Sequence, residues 1–265
     1  MDIEFDLSYT AIKTVYEKAD PSNISVMIST DVEDDSQKLF YNMIYDYLHD
    51  EFNTYRTMYN LSRTTDKLVL FTEKDVCKMT KGIIKRCCET NLKSAQSGMT
   101  YIFPYDDNTI GNIITINMKC VEDLHYTIWN SKTTKDIINH EIKYKLKTTL
   151  LHEIGHVICA HNTLKKYNYD ANKACSEIVS VCNKDNEEFF NYLKSKYNTI
   201  TAESEKDLDY KDLKFDEEDI KVYYALPGEK AANDAVGLTY KDHLSDKKLM
   251  KLYNDMNNKN DKKDE

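Results

Sequence analysis

Helix breakers are scarce in this chain: six glycines and three prolines among 265 residues. That excludes a fold of many short strands joined by tight turns and favours long helices. Positive charge is also short. Lys and Arg number 36 against 45 Asp and Glu, a formal net charge of −9. So acidic a chain lacks the basic stripe of a general nucleic-acid binder and has little attraction for anionic lipid, so neither nucleic acid nor a membrane is expected as a partner. No window approaches the roughly 18 uninterrupted apolar residues that span a bilayer. The opening MDIEFDLSYT has no basic segment followed by an apolar one, so no secretory signal is expected. The seven cysteines form no Cys-x-x-Cys and no regular framework, which fits reduced thiols in a cytoplasmic protein. What remains is a 41% apolar chain rich in Lys, Asn, Asp, Ile and Tyr, long enough to bury a core.

Apolar spacing divides it. NISVMIS (23–29) reads as a short strand. Asp34 to Leu61 reads as a helix, with Leu39, Phe40, Met43, Ile44, Tyr47, Leu48 and Phe52 recurring at three and four. Glu73 to Gln96 reads as another. From Gly98 the texture becomes β-branched and aromatic, and 98–118 reads as strand, turn and strand around Asp106, Asp107, Asn108 and Gly111. A long apolar helix follows over Lys135–Ala160, then helical sequence over 163–200. The segment 202–221 is highly charged and expected to be exposed. A turn at Pro227-Gly228 leads into a helix from about Glu229. The final NDMNNKNDKKDE (254–265) is too polar to fold on its own.

Three of the seven histidines fall in TLLHEIGHVICAHN (149–162). Residues four apart on a helix project from one face, so His152 and His156 can direct two imidazole nitrogens at one ion. Zinc accepts imidazole, takes a tetrahedral shell, and leaves room for a third protein ligand and a water. Glu153, one step round the helix, can reach that water, accept its proton as a carbonyl is attacked, and deliver the proton to the leaving amine. H-E-x-x-H thus encodes two ligands and a base. The apolar helix around it makes unpartnered polar groups costly, and Gly155 allows a neighbouring element to come close.

The third ligand must come from elsewhere. At about 100° per residue, His161 falls on the far side of a continuing helix, so it reads as a helix-end residue or as one that supports a ligand, rather than as a ligand itself. Glu177 and Glu229 are both candidates. Glu229, in GEKAANDAVG, is favoured over Glu177 because two alanines let its helix approach the histidine helix. Asn233, one turn on, can accept a hydrogen bond from the other nitrogen of a ligating histidine, with Asp234 as the fallback. Tyr223, Tyr224 and His161 are candidates for stabilising an oxyanion.

HEIGH followed by EKAAND resembles the glutamate-zincin (gluzincin) metallopeptidases, whose second motif is E-x-x-A-[DN]. NIITIN, TLLHEIGHV and EKAANDAV together are similar to the ImmA/IrrE-type cytosolic peptidases, which show a strand ending I-x-[IV]-N, then H-E-[LI]-x-H, then E-x-x-A-N-x-[FA]-A. The resemblance covers residues 98–162 and 226–240. It implies Zn2+ held by His152, His156 and Glu229, Glu153 as catalytic base, and a protein or peptide substrate, with a transcriptional regulator as the family analogy. The gap between the two motifs is longer here than in that pattern.

The expected fold is α+β, zincin-like and helix-rich, with a small, mainly antiparallel sheet beside the active-site helix. Residues 1–97 would be an N-terminal helical region packing on the catalytic part. Residues 98–240 would be the catalytic domain, with a helical and acidic insertion at 163–225, and 241–265 a polar tail. The strand Ile113–Met118 is expected at the sheet edge, where an extended peptide could add as a further strand. The expected function is zinc-dependent hydrolysis of a peptide bond in a protein substrate. The alternative is a catalytically inactive zinc-binding zincin-like protein acting as a regulatory or interaction module, for which an intact Glu153 would be unnecessary.

Overall fold

A computed structural model describes residues 24–27, 35–61, 64–79, 82–94, 96–118, 135–197, 199–203, 208 and 213–244. The tail beyond residue 244, and the ends of the strand expected over 23–29, lie outside them. In chain order the elements are β1 (Ile24–Met27), α1 (Asp35–Met58), β2 (Thr64–Phe71), α2 (Glu73–Lys78), α3 (Ile83–Ser94), β3 (Gly98–Asp106) and β4 (Thr109–Asn117). There follow α4 (Lys135–Lys166), α5 (Ala171–Lys196), α6 (Glu217–Tyr223), α7 (Pro227–Val236) and a 3-10 turn, Tyr240–Leu244.

The four strands form one small sheet in the order β1-β2-β4-β3. β1 runs parallel to β2 with Ile24 opposite Leu68, and β2 runs parallel to β4 with Thr64 opposite Ile110. Only the β3–β4 hairpin is antiparallel, with Gly98 opposite Ile116. The chain is therefore α+β and helix-rich, but its sheet is mixed rather than mainly antiparallel. Two corrections follow. The N-terminal region is not simply helical, because β2 is an inner strand of this sheet and the boundary drawn at 97 runs between paired strands. And β4, which holds Ile113–Asn117, is flanked on both sides; among the described residues the edge beside α4 is β3.

β2 escapes a periodicity reading because it does not alternate: Asp66 to Phe71 are all buried. Inner parallel strands covered on both faces characteristically lose alternation. The polar start of β2 is tolerated because its charge is matched. Arg56 Nε lies 2.9 Å from Asp66 Oδ2, and Asn112 Nδ2–H donates to Asp66 Oδ1 at 2.6 Å.

Helices cover both sheet faces. On one, Ile142, Leu146, Leu150, Ile154 and Val157 of α4 pack with Ile44, Leu48 and Phe52 of α1 over Leu68, Leu70, Ile114 and Ile116. On the other, Val76, Ile83, Cys87 and Cys88 cover Val69, Phe71, Phe103 and Ile113. The expected helix over 73–96 is two: Met79 adopts an extended conformation and ends α2. Likewise 163–200 is not one helix. α4 runs on to Lys166, the chain turns through the left-handed residues Asn168 and Tyr169, and Asp170 caps α5 by accepting from Lys173 N–H.

The charged stretch 202–221 is not uniformly exposed. It contains the start of α6, opened by a capping box between Asp216 and Asp219. Asp219 is buried and takes hydrogen bonds from Lys196 Nζ (2.8 Å), Tyr192 (3.0 Å) and Tyr197 (2.6 Å) of α5 and its C-terminal end. Among the described residues no helix is long and apolar enough to cross a membrane.

Candidate metal centre

The site is built where α4 crosses α7. α7 begins with Pro227, whose missing N–H costs nothing in a first turn, and stops at Gly237, which takes the left-handed conformation at φ 73°. Its N-terminus has no side-chain cap of its own. Asp185, buried on α5, supplies one, accepting from Gly228 N–H at 2.7 Å. The segment read as an insertion therefore holds the helix that carries Glu229. The α4–α7 crossing is close because both surfaces are small at the contact. A Cβ on Gly155 would lie 2.1 Å from the Ala232 carbonyl oxygen.

This crossing brings His152, His156 and Glu229 together, with one donor atom from each within 4.8 Å of the others. His152 Nε2 stands 2.9 Å from Glu229 Oε2 and 3.2 Å from His156 Nε2. His156 Nε2 stands 3.5 Å from Glu229 Oε2. Asn233 Oδ1 lies 2.8 Å from His152 Nδ1. An amide oxygen has no proton to give, so Nδ1 carries the hydrogen, and in the neutral imidazole the lone pair is then on Nε2.

That lone pair faces a carboxylate oxygen at contact distance, an arrangement that needs a cation. A metal ion suits it: donors about 2.1 Å from a tetrahedral centre stand about 3.4 Å apart. These three residues can hold a metal ion. Without one, a proton takes up the charge. Burial opposes ionisation of His156, but the Glu229 carboxylate outweighs burial and raises the imidazole well above its ordinary value. Burial would raise Glu229, yet the two imidazoles hold it well below the usual carboxylate range.

Glu153 lies against β3. The Thr100 hydroxyl donates to its Oε2 at 2.6 Å, and a Cβ on Gly98 would come 2.8 Å from its Oε1. Gly98 and Thr100 share a strand face, being two apart. One leaves space for the carboxylate and the other binds it. Burial raises the Glu153 carboxyl above its ordinary value, opposed by His152, His156 and the Thr100 hydrogen bond.

The remaining candidates divide. Asn233 is buried and contacts His152 as its spacing implied. Asp234 is exposed and pairs with Lys230 on its own helix, so it does not support the histidines. His161 is not a helix-end residue, because α4 runs on to Lys166; it is buried there and is not among the grouped donors. Burial and Lys165 lower its pKa. Glu177 binds Lys166 and Tyr167 at the far end of α4 and is not a ligand candidate. Tyr223 lies beside Glu229, which acts on its phenol, and its hydroxyl accepts from Gln96 Nε2 at 3.0 Å. Burial, and after it Glu229, keeps the phenol protonated. Tyr224 stacks on His243 with ring centroids 3.7 Å apart and meets His152 edge-on at 5.2 Å.

Sequence reasoning missed Thr100, Gly98, Asp185 and His243. His243 carried a signal, as one of seven histidines ten residues after Asn233, but it falls in the segment assigned to the polar tail. That segment begins instead with an ordered turn. Thr239 donates to Asp242 Oδ2 from its N–H (2.8 Å) and its hydroxyl (2.9 Å), and Tyr144 of α4 donates to Asp242 Oδ1 at 3.0 Å.

Comparison with protein-family models, with curated proteins and with solved structures finds no match.

Proposed function

We propose that the chain is a zinc-dependent metallopeptidase of the gluzincin type, hydrolysing a peptide bond in a protein or peptide substrate. The observation that carries this reading is the convergence of two imidazoles and a carboxylate from α4 and α7, with a second carboxylate, the buried Glu153, on the residue directly after the first histidine. In favour of a zincin-like fold is the packing of the HEIGH helix against a mixed sheet whose edge strand β3 passes the Glu153 side chain.

Zinc bound by His152, His156 and Glu229 would supply Lewis acidity, polarising a carbonyl and easing deprotonation of water. Asn233 orients His152. Glu153 takes the proton from the attacking water and passes it to the departing amine nitrogen. Burial suits it to this, since a carboxylate of raised pKa is a stronger base. Thr100 holds one oxygen of that carboxylate and so directs the other. The protonated Tyr223 hydroxyl beside Glu229 is suited to donate to the developing oxyanion. A substrate backbone would lie along β3, in place of the flanked strand β4. That the substrate is a transcriptional regulator rests on the family resemblance alone.

The test has two measurements. Gently purified protein should contain one zinc per chain, and its absence overturns the reading. Incubation with a peptide library should give cleavage products read by mass spectrometry. Glu153→Gln should abolish cleavage and keep the zinc. Stoichiometric zinc with no cleavage by the wild type would favour a binding module without turnover.

A further inference from the structure

We propose that His243, on the turn after α7, is a positioning residue for the metal centre, acting through the Asn233 amide on the tautomer of His152. The inference rests on the metal-site reading above. His243 Nε2 lies 2.9 Å from Asn233 Oδ1, the oxygen that also receives His152 Nδ1–H at 2.8 Å. An acceptor-only oxygen between two imidazole nitrogens requires a hydrogen on each. Nε2 of His243 is thereby occupied, and His243 is not among the grouped donors.

The arrangement matters because the alternative is favourable by itself. An amide rotated by half a turn presents its NH2 to His152 Nδ1, which must then carry the lone pair. The hydrogen of His152 moves to Nε2, where it finds Glu229 Oε2 at 2.9 Å. That state makes good hydrogen bonds in the metal-free protein and cannot bind a metal through Nε2. His243 opposes it, since the rotated amide would set a donor against its Nε2–H unless this second imidazole also shifted its hydrogen to Nδ1, so that rotation needs two tautomer changes instead of one. The imidazole is itself held in place. It stacks on Tyr224 at 3.7 Å and 16°, and its neighbour Asp242 is bound by Thr239 and by Tyr144 of α4, the helix that carries His152. His152, Asn233 and His243 thus form one chain of donors and acceptors, with only its inner end at the metal.

The experiment is a double-mutant cycle read by zinc affinity, using Zn2+ alone in competition with a chromophoric chelator on the full chain. His243→Phe keeps a ring against Tyr224 and removes the donor. It should weaken zinc binding about tenfold, the lower end of the effect of removing an outer hydrogen-bond partner of a metal ligand. Asn233→Asp replaces the amide with a carboxylate that has no donor side to present. In that background His243→Phe should cost less than about threefold. Equal losses in both backgrounds would show that the ring acts by packing and would overturn the proposal. So would a His243→Phe chain that binds zinc as the wild type does, or one that fails to fold in both backgrounds, judged by the melting of the metal-free protein. Absence of zinc binding by the wild type would instead sink the metallopeptidase reading, and this inference with it.

Discussion

Gly155→Ala is the sharpest test of how the site is assembled. Gly155 stands directly before His156 on α4, and an added Cβ would lie 2.1 Å from Ala232 O, 2.7 Å from Ala232 C and 3.0 Å from Ala232 Cα. Carbon–oxygen contacts settle at about 3.3 Å, so the carbonyl must retreat by about 1.2 Å. The obstacle is helix backbone, which has no rotamer to change, so α7 must move as a unit. Overfilling of this kind costs about 1–3 kcal/mol. The change also recovers about 1 kcal/mol, because alanine is the better helix former. The net loss of stability in the metal-free protein should therefore be no more than about 2 kcal/mol. The effect on the metal should be larger. Glu229 and Asn233 flank Ala232 on the same helix, and metal–ligand distances tolerate only about 0.2 Å of error. Zinc affinity should fall by about tenfold or more. Urea unfolding of the metal-free chain and competitive zinc titration measure the two effects separately. A Gly155→Ala protein with wild-type zinc affinity and a stability raised by about 1 kcal/mol, as at an exposed helix glycine, would refute the close α4–α7 crossing as the basis of the site.

Two further substitutions probe the supports. Thr100→Val keeps the shape of the side chain and removes the hydroxyl that binds Glu153 Oε2. A hydrogen bond to a charged group is worth about 1.5–3 kcal/mol. Turnover of a peptide that the wild type cleaves should drop by about tenfold or more, with zinc content unchanged and Thr100→Ser restoring most of it. Unchanged turnover would remove Thr100 from the account. Asp185→Ala strips the N-terminus of α7 of the side-chain cap that α5 supplies and should lower the stability by about 1 kcal/mol. It should also weaken zinc binding, because Glu229 sits in that first turn. An unaltered unfolding midpoint would show that α5 does not anchor α7.

The parts legible in the sequence are those with a local cause. His152, Glu153 and His156 share a helix, and Asn233 follows Glu229 by one turn, so helical periodicity alone sets which side chains can act together. Gly155 was readable as a point of close approach because glycine inside an apolar helix is costly without a reason. The small residues of EKAAND pointed to the same contact from the other side. Even the negative reading of His161 followed from 3.6 residues per turn, and α4 does continue past it.

What needed the tertiary structure has a non-local cause. β2 shows no alternation, because a strand covered on both faces has no polar side to display. Strand order is not written in either strand alone, so β4, flanked by two neighbours, was mistaken for the edge that β3 provides. Gly98 and Thr100 are an ordinary strand pair until α4 lies across them. Asp185 caps a helix that begins 42 positions later in the chain, and His243 belongs to the site only because the turn after α7 folds back onto α4. Spacing along a helix determined which residues could form the centre; the packing of α4, α5, α7 and β3 decided which residues hold them there, because those contacts join segments that no local periodicity relates.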